Sequence, residues 1–346
     1  MRGSKEPVVQ NLLDPAILFF VFGVLAGALR SNLEIPPAIS KFLSLYLLMA
    51  LGLKGGFALA KSGLTAGVAV ALLAAIAMAF IVPMLGYALL RNRVSRFDAA
   101  AVAAAYGSVS AVTFVTAMQY LETVGLTFGG HMAVAMVVME SPAIIMAVLL
   151  ANTLRHAQSA PAGVRVGGGG AATLGAGGAG HGGPSIGRIL HESFTDGAHL
   201  LLLGAMAVGF LSGDAGKAMM QPFSGDLFKG MLAFFLLDMG LMVAKNFAEA
   251  RKASPALIGY AAIGPVVHAA VALALAWALS LPVADAALLM VLSASASYIV
   301  VPAVLRYAIP EANPAIYFGL SLGITFPLNI LIGIPVYTSV AQSVLG

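Results

Sequence analysis

The sequence predicts an all-α polytopic membrane protein: about ten transmembrane helices as two inverted five-helix repeats, with the helices at spans 4 and 9 broken. Three observations predict it. The chain is 60% hydrophobic and only 9% charged, with a mean hydropathy of +0.97, more apolar surface than a soluble core can hide. Apolar runs of membrane-spanning length recur along its 346 residues. Two serine clusters, Gly107-Ser108-Val109-Ser110 and Ser293-Ala294-Ser295-Ala296-Ser297, interrupt such runs about half a chain apart. Ser108 to Ser295, Ser110 to Ser297 and Tyr120 to Tyr307 are all separated by 187 positions.

The apolar runs place spans near 14–30, 40–60, 63–90, 98–121 and 130–153, then 196–212, 228–248, 255–280, 283–306 and 314–342. Their length excludes barrel strands, which would run about ten residues with alternating polarity. Loops on alternate sides divide the basic residues 12 against 5, with Lys54 inside a span. The richer side includes Arg91, Arg93, Arg96, Arg155, Arg251 and Lys252; the poorer has Arg2, Lys5, Lys61, Lys217 and Lys229. The positive-inside rule puts the richer side in the cytoplasm and both termini outside. Residues 1–153 and 196–346 form the two repeats, and an odd number of spans in each forces opposite orientations. Leu51-Gly52-Leu53-Lys54 parallels Met239-Gly240-Leu241-Met242, and Ser141-Pro142-Ala143-Ile144 parallels Phe326-Pro327-Leu328-Asn329.

Between the repeats, residues 154–195 read as a cytoplasmic Gly-rich linker, with runs at Gly167-Gly168-Gly169-Gly170 and from Gly175 to Gly183. The G-x-G-x-x-G at Gly175–Gly180 follows no strand, so it does not read as a dinucleotide site. His156, His181 and His191 fit no metal spacing. The net charge of +4 comes from loop residues with no interleaved aromatics, which excludes nucleic-acid binding. Zero cysteines exclude disulfides and thiolate metal sites. Ala16 to Arg30 lacks a small-x-small cleavage site and reads as a first span.

A helix broken within a membrane exposes unpaired N–H groups at the start of its second half, and these with the helix dipole make an anion site. Ser108, Ser110 and Thr113 from span 4, with Ser293, Ser295, Ser297 and Tyr298 from span 9, are the candidate substrate-binding residues. Small residues also serve close helix packing, but two clusters in register favour a site. Carboxylates within spans must face protein or water, since each costs about 2.5–3.5 kcal/mol at a helix centre. Glu140 and Asp238, with the neutral oxygens of Thr325 and Asn329, are the candidate cation-binding residues. Lys54 is an available partner for Asp238, because spans 2 and 7 are repeat mates. His268 reads as hydrogen-bonded structure.

At these residues the chain resembles the sodium-dependent bicarbonate transporter family. The similarity runs nearly end to end outside the linker, through Leu51-Gly52-Leu53-Lys54-Gly55-Gly56, Gly107 to Thr113 and Glu140-Ser141-Pro142-Ala143. It is most specific at Leu305-Arg306-Tyr307-Ala308-Ile309-Pro310-Glu311-Ala312-Asn313-Pro314, which is similar to the family's L-R-x-G-I-P-x-A-N-P. The resemblance implies ten helices with core and gate domains, a homotrimer, and sodium-coupled bicarbonate uptake across a bacterial inner membrane. It also implies a PII-like regulatory protein on the cytoplasmic face. Three positions depart from the family pattern: its S-S-S-D is Ser295-Ala296-Ser297-Tyr298 here, its span-5 aspartate is Glu140, and its G-S-T-like run is Ala111-Val112-Thr113.

The expected function is secondary active import of a small anion, bicarbonate with sodium as coupling ion and no other cofactor. Transport of another small anion or monocarboxylate, proton-coupled, is the alternative that Tyr298 motivates, and a membrane receptor or scaffold for the PII-like protein is a third. An enzyme is not expected, because the serines lack a partnered His or Lys.

Overall fold

The computed structural model describes residues 11–63, 65–159, 197–298 and 300–346. Helix makes up 84% of it, and no strand occurs among the described residues. The helices are α1 (Pro15–Ala28), α2 (Pro37–Ser62), α3 (Ala66–Leu90), α4 (Arg96–Gly107), α5 (Ala111–Thr123), α6 (Met132–Ser159), α7 (Gly197–Met220), α8 (Phe228–Ala250), α9 (Pro255–Ala278), α10 (Val283–Ala294), α11 (Val300–Ala308) and α12 (Pro314–Leu345). Six described stretches are long and apolar enough to cross a membrane; α1 and α10 are shorter apolar helices.

Polar caps and prolines set the starts. Asp14 accepts from the N–H of Ala16 at 2.8 Å ahead of α1, Ser254 accepts from Leu257 ahead of α9, and Asn313 accepts from Ala315 at 3.0 Å ahead of α12. A proline follows each cap, with φ already helical and no N–H to leave unpaired. Large apolar side chains remain outward, among them Phe22, Leu29, Leu211 and Trp277, as lipid-facing surfaces require.

Two helix pairs pack backbone to backbone. On the seam of α1 with α8, a Cβ on Gly23 would overlap the Leu237 carbonyl, and one on Gly240 the Phe20 carbonyl. On the seam of α2 with α7, a Cβ on Gly52 or Gly56 would overlap the carbonyls of Leu202 or Met206. Small residues give membrane helices the close approach that replaces a hydrophobic driving force. In contrast, α4, α5 and α10 are surrounded by protein: in the Arg96–Thr123 stretch 94% of the apolar window is buried, and every residue of α10 from Ala284 to Ala294 is buried.

Three expectations need correction. Residues 213–220, expected in a loop, continue α7 past a kink at Gly213, whose φ of 54° suits a residue without a Cβ; a π-helical turn, Gln221–Asp226, then leads into α8. The helix α6 runs through Pro142 to Ser159, beyond the expected start of the linker. Most of the 154–195 linker, including its glycine runs, His181 and His191, lies outside the described residues. Lys54 pairs with Glu122 at 3.1 Å and not with Asp238, because its side chain reaches towards the end of α5 and over the Phe228 ring, 4.1 Å from the centroid.

The segment between α11 and α12 is clamped at two points. Arg155 donates two hydrogen bonds to the Glu311 carboxylate, each 2.8 Å, and one to the Ala308 carbonyl at 2.9 Å. Asp98 accepts from the N–H of Asn313 at 2.8 Å while it also accepts from Ser95. The Arg155 hydrogen bonds hold the Glu311 carboxyl below its ordinary value of 4.5.

Gly240→Leu should cut the yield of monodisperse protein and lower its melting temperature, since overpacking a closed seam costs about 1–3 kcal/mol; Gly259→Leu, where a Cβ meets open space, should be tolerated, and thermal unfolding in detergent reads both. Because the folded pKa of Glu311 is depressed, its contribution is complete above 4.5 and is lost as pH falls through the depressed value. The melting temperatures of the wild type and Glu311→Gln should therefore differ at neutral pH and converge in acid.

Candidate functional site

The two serine clusters are breaks in otherwise helical segments. At the first, α4 ends with Ser108 extended (φ −90°, ψ 177°) and α5 starts after Ser110 (φ −106°, ψ 112°). At the second, α10 ends with Ser295 in nearly the same conformation (φ −85°, ψ 170°), and Ser297 precedes α11. Each second half is capped by its own serine: Ser110 Oγ accepts from the N–H of Thr113 at 3.2 Å and from Thr113 Oγ1 at 3.0 Å, and Ser297 Oγ accepts from the N–H of Val301 at 3.3 Å.

The breaks cross. The N–H of Ser110 donates to Ser295 Oγ at 3.0 Å, while the N–H of Ser297 donates to the Ala105 carbonyl at 2.8 Å. Residue 110 therefore lies by 295 and residue 105 by 297, an antiparallel crossing. Ser295 Oγ in turn donates to the Leu292 carbonyl at 2.8 Å. Extended backbone at membrane depth survives only where protein surrounds it and its polar groups are paired. Ser108, Ser110, Thr113, Ser293, Ser295, Ser297 and Tyr298 are all buried, so the structure gathers the substrate-site candidates into one enclosed region.

Two hydroxyls there have no partner: Ser108 Oγ and Ser293 Oγ are buried and make no hydrogen bond. A buried unsatisfied hydroxyl costs about 1–3 kcal/mol. The Tyr298 phenol, where the family pattern has a carboxylate, turns towards Ser110 and lies 3.8 Å from Met239 Sδ. Its ring stacks edge-on against Phe326 at 5.4 Å.

The four cation-site candidates lie in three surroundings. Thr325 and Asn329 join the breaks, because two π-helical turns, Ser321–Thr325 and Asn329–Gly333, flank Pro327 in α12, a residue that cannot donate to the helix. Thr325 Oγ1 bonds the Tyr106 hydroxyl at 2.6 Å and donates to the Ala261 carbonyl at 2.8 Å. Asn329 Nδ2 donates at 2.8 Å to the carbonyl of Ala294, the last residue of α10, and Asn329 Oδ1 accepts from Tyr337. Glu140 instead meets the His199 imidazole of α7 in a buried carboxylate–imidazole contact. Asp238, also buried, has Ser40 of α2 beside it, and its Oδ2 makes no hydrogen bond.

Sequence reasoning missed His199, although apart from Asp196 at the edge it is the one ionisable residue of the span expected at 196–212. It also missed a buried pair between His131 and Asp285, 3.4 Å apart, whose carboxylate accepts from the N–H of Gly129 at 2.7 Å. Both residues stand at expected helix starts and carry no motif. His268 is fully buried beside the Tyr260 hydroxyl at 3.5 Å, as expected of a structural histidine.

No curated protein matches the chain. The family model of the Na+-dependent bicarbonate transporter superfamily matches residues 15–342, from the start of α1 almost to the end of α12. A multi-pass helical bundle with serine-lined helix breaks at its centre, matched over nearly its whole length, is a membrane transporter and not an enzyme, and the chain belongs to the Na+-dependent bicarbonate transporter superfamily.

Proposed function

We propose that the chain imports bicarbonate, coupled to sodium, across a bacterial inner membrane, by an inverted-repeat mechanism with its site at the crossed breaks. The observation that carries this reading is the pair of unpartnered buried hydroxyls, Ser108 and Ser293, one in each serine cluster. The unpaired N–H groups of a first helical turn favour an anion, and the two hydroxyls would donate to its oxygens. Ser110, Thr113, Ser295, Ser297 and Tyr298 would form the walls. Support for two inverted halves comes from Ser108 and Ser295, which share one extended conformation 187 positions apart. The glycine seams of α1 with α8 and of α2 with α7 also correspond if the halves exchange.

Carrying one negative charge into a cell at −100 mV costs about 2.3 kcal/mol. One sodium ion moving with it removes that cost. Thr325 and Asn329 would offer it neutral oxygens beside the breaks, while Glu140 and Asp238, in separate surroundings, would balance its charge only at longer range. Proton coupling is the second reading, favoured by the buried Glu140–His199 acid–base pair, which could carry a proton where the family pattern relies on carboxylates. The homotrimer and the cytoplasmic PII-like partner remain part of the proposal through the family resemblance alone.

Labelled bicarbonate uptake into proteoliposomes, under an inward sodium gradient or an inward proton gradient, separates the two readings. Sodium-driven uptake that is lost in Glu140→Gln supports the first; proton-driven uptake, insensitive to sodium, supports the second. Ser108→Ala and Ser293→Ala should lower uptake at least tenfold while melting temperature holds or rises, since each removes an unsatisfied group (one hydrogen bond to a charged ligand is worth roughly 1.5–3 kcal/mol). Ser110→Ala and Ser297→Ala should lower both uptake and melting temperature, since each also removes a helix cap. Unchanged uptake in all four would show that the site lies elsewhere.

A further inference from the structure

The loops that the charge asymmetry assigns to the outer side converge on one open cleft of about 1200 Å³. Its wall carries four lysines, Lys54, Lys61, Lys217 and Lys229, from three separate helices. Three carboxylates share it: Glu122, which pairs with Lys54, Asp226, which accepts from Gln221 at 3.0 Å, and Asp214, so four lysines face three acids and the lining is positive by one charge. Among the described residues, Lys61, Lys217 and Lys229 form no ion pair, and all three are exposed. The cleft is therefore electropositive, and such a concavity raises the local concentration of anions.

The base of the cleft leads inward. Glu122 and Gln119 line it from α5, the helix that begins at the first break. Gln119 is buried, its Oε1 makes no hydrogen bond, and it also lines a small second cavity with Thr116, Tyr120 and Thr123. Ser110, Thr113, Thr116, Gln119 and Glu122 follow one another three residues apart along a ridge that winds round α5, each neighbouring the next. From Ser110 to Glu122 the ridge rises about 18 Å, a little over half of the roughly 30 Å hydrocarbon core.

At the junction of cleft and ridge, Lys54 Nζ on α2 contacts both Glu122 carboxylate oxygens on α5 at 3.1 Å and lies over the Phe228 ring of α8. The side chains of the pair are 21% and 38% exposed. Ion pairs this wet contribute little and open readily, unlike a buried pair. An incoming anion offers Lys54 an alternative partner.

We propose that this cleft is an anion-collecting mouth on the outer face, and that the Lys54–Glu122 pair is its gate to a polar path along α5, for oxyanions of the bicarbonate class. The inference rests on the import reading above, so its primary test is independent of flux. The chain has no cysteine, and Ala58→Cys places one on the cleft wall. Anionic and cationic membrane-impermeant thiol reagents are added from outside to oriented cells. The anionic reagent should react about tenfold faster, within the range for electrostatic steering, and the preference should collapse in Lys61→Gln/Lys217→Gln/Lys229→Gln and in high salt. In Thr116→Cys, reaction with the anionic reagent should rise severalfold when Glu122→Gln is added, with Ala58→Cys labelling confirming a folded protein.

An anionic preference that survives removal of the three lysines, or an Ala58→Cys reachable only from the cytoplasm, overturns the mouth. Thr116→Cys labelling unaltered by Glu122→Gln overturns the gate. In proteoliposomes the triple lysine variant should raise KM severalfold and leave kcat unchanged; an unaltered KM overturns the inference. Absence of flux in the unsubstituted protein instead overturns bicarbonate as the substrate, with the labelling result still standing.

Discussion

Everything at the centre of this protein depends on one constraint: a backbone that leaves the helix within a membrane must find its hydrogen bonds in protein. The two breaks meet it together. Ser110 is satisfied by Ser295 across the crossing, and Ser297 by the carbonyl of Ala105. Ser110 and Ser297 then cap the helices that resume, α5 and α11. Neither break would be tolerable alone, which explains why α4, α5 and α10 are wrapped by the longer helices and lose contact with lipid.

The surroundings of the crossing extend the same logic. Asn329 caps the carbonyl end of α10, and Thr325 ties α12 to Tyr106 and α9. Both are turned inward by π-helical turns around Pro327, so a residue that disturbs one helix supplies the polar groups that complete another. Within this network the hydroxyls of Ser108 and Ser293 are buried without a hydrogen bond. The glycine seams leave the outer helices in close contact along their backbones.

Charge is distributed by depth. At one end of α6 the Arg155–Glu311 clamp fixes the segment before α12. Beyond its other end, lysines gather round an open cleft. Between them the ionisable groups are few, buried and mostly paired: Glu140 with His199, and His131 with Asp285. Each pair joins two helices that are distant in sequence, where a change of protonation or ligation would be felt as a change in packing.

Hydropathy, helix caps and prolines act over a few neighbouring residues, so the membrane class, the positions of the helix breaks and the serines that line them can be read from the chain alone. The equal spacing of Ser108 from Ser295 and of Ser110 from Ser297 was legible for the same reason. Which residues face each other is set by three-dimensional packing. Lys54 chose Glu122 over Asp238, Glu140 met His199, and residues 213–220 stayed helical past a kink rather than forming a loop. Those outcomes depend on helix rotation and crossing, which the packing of whole helices sets; an apolar residue that faces lipid and one that faces protein read alike in the sequence.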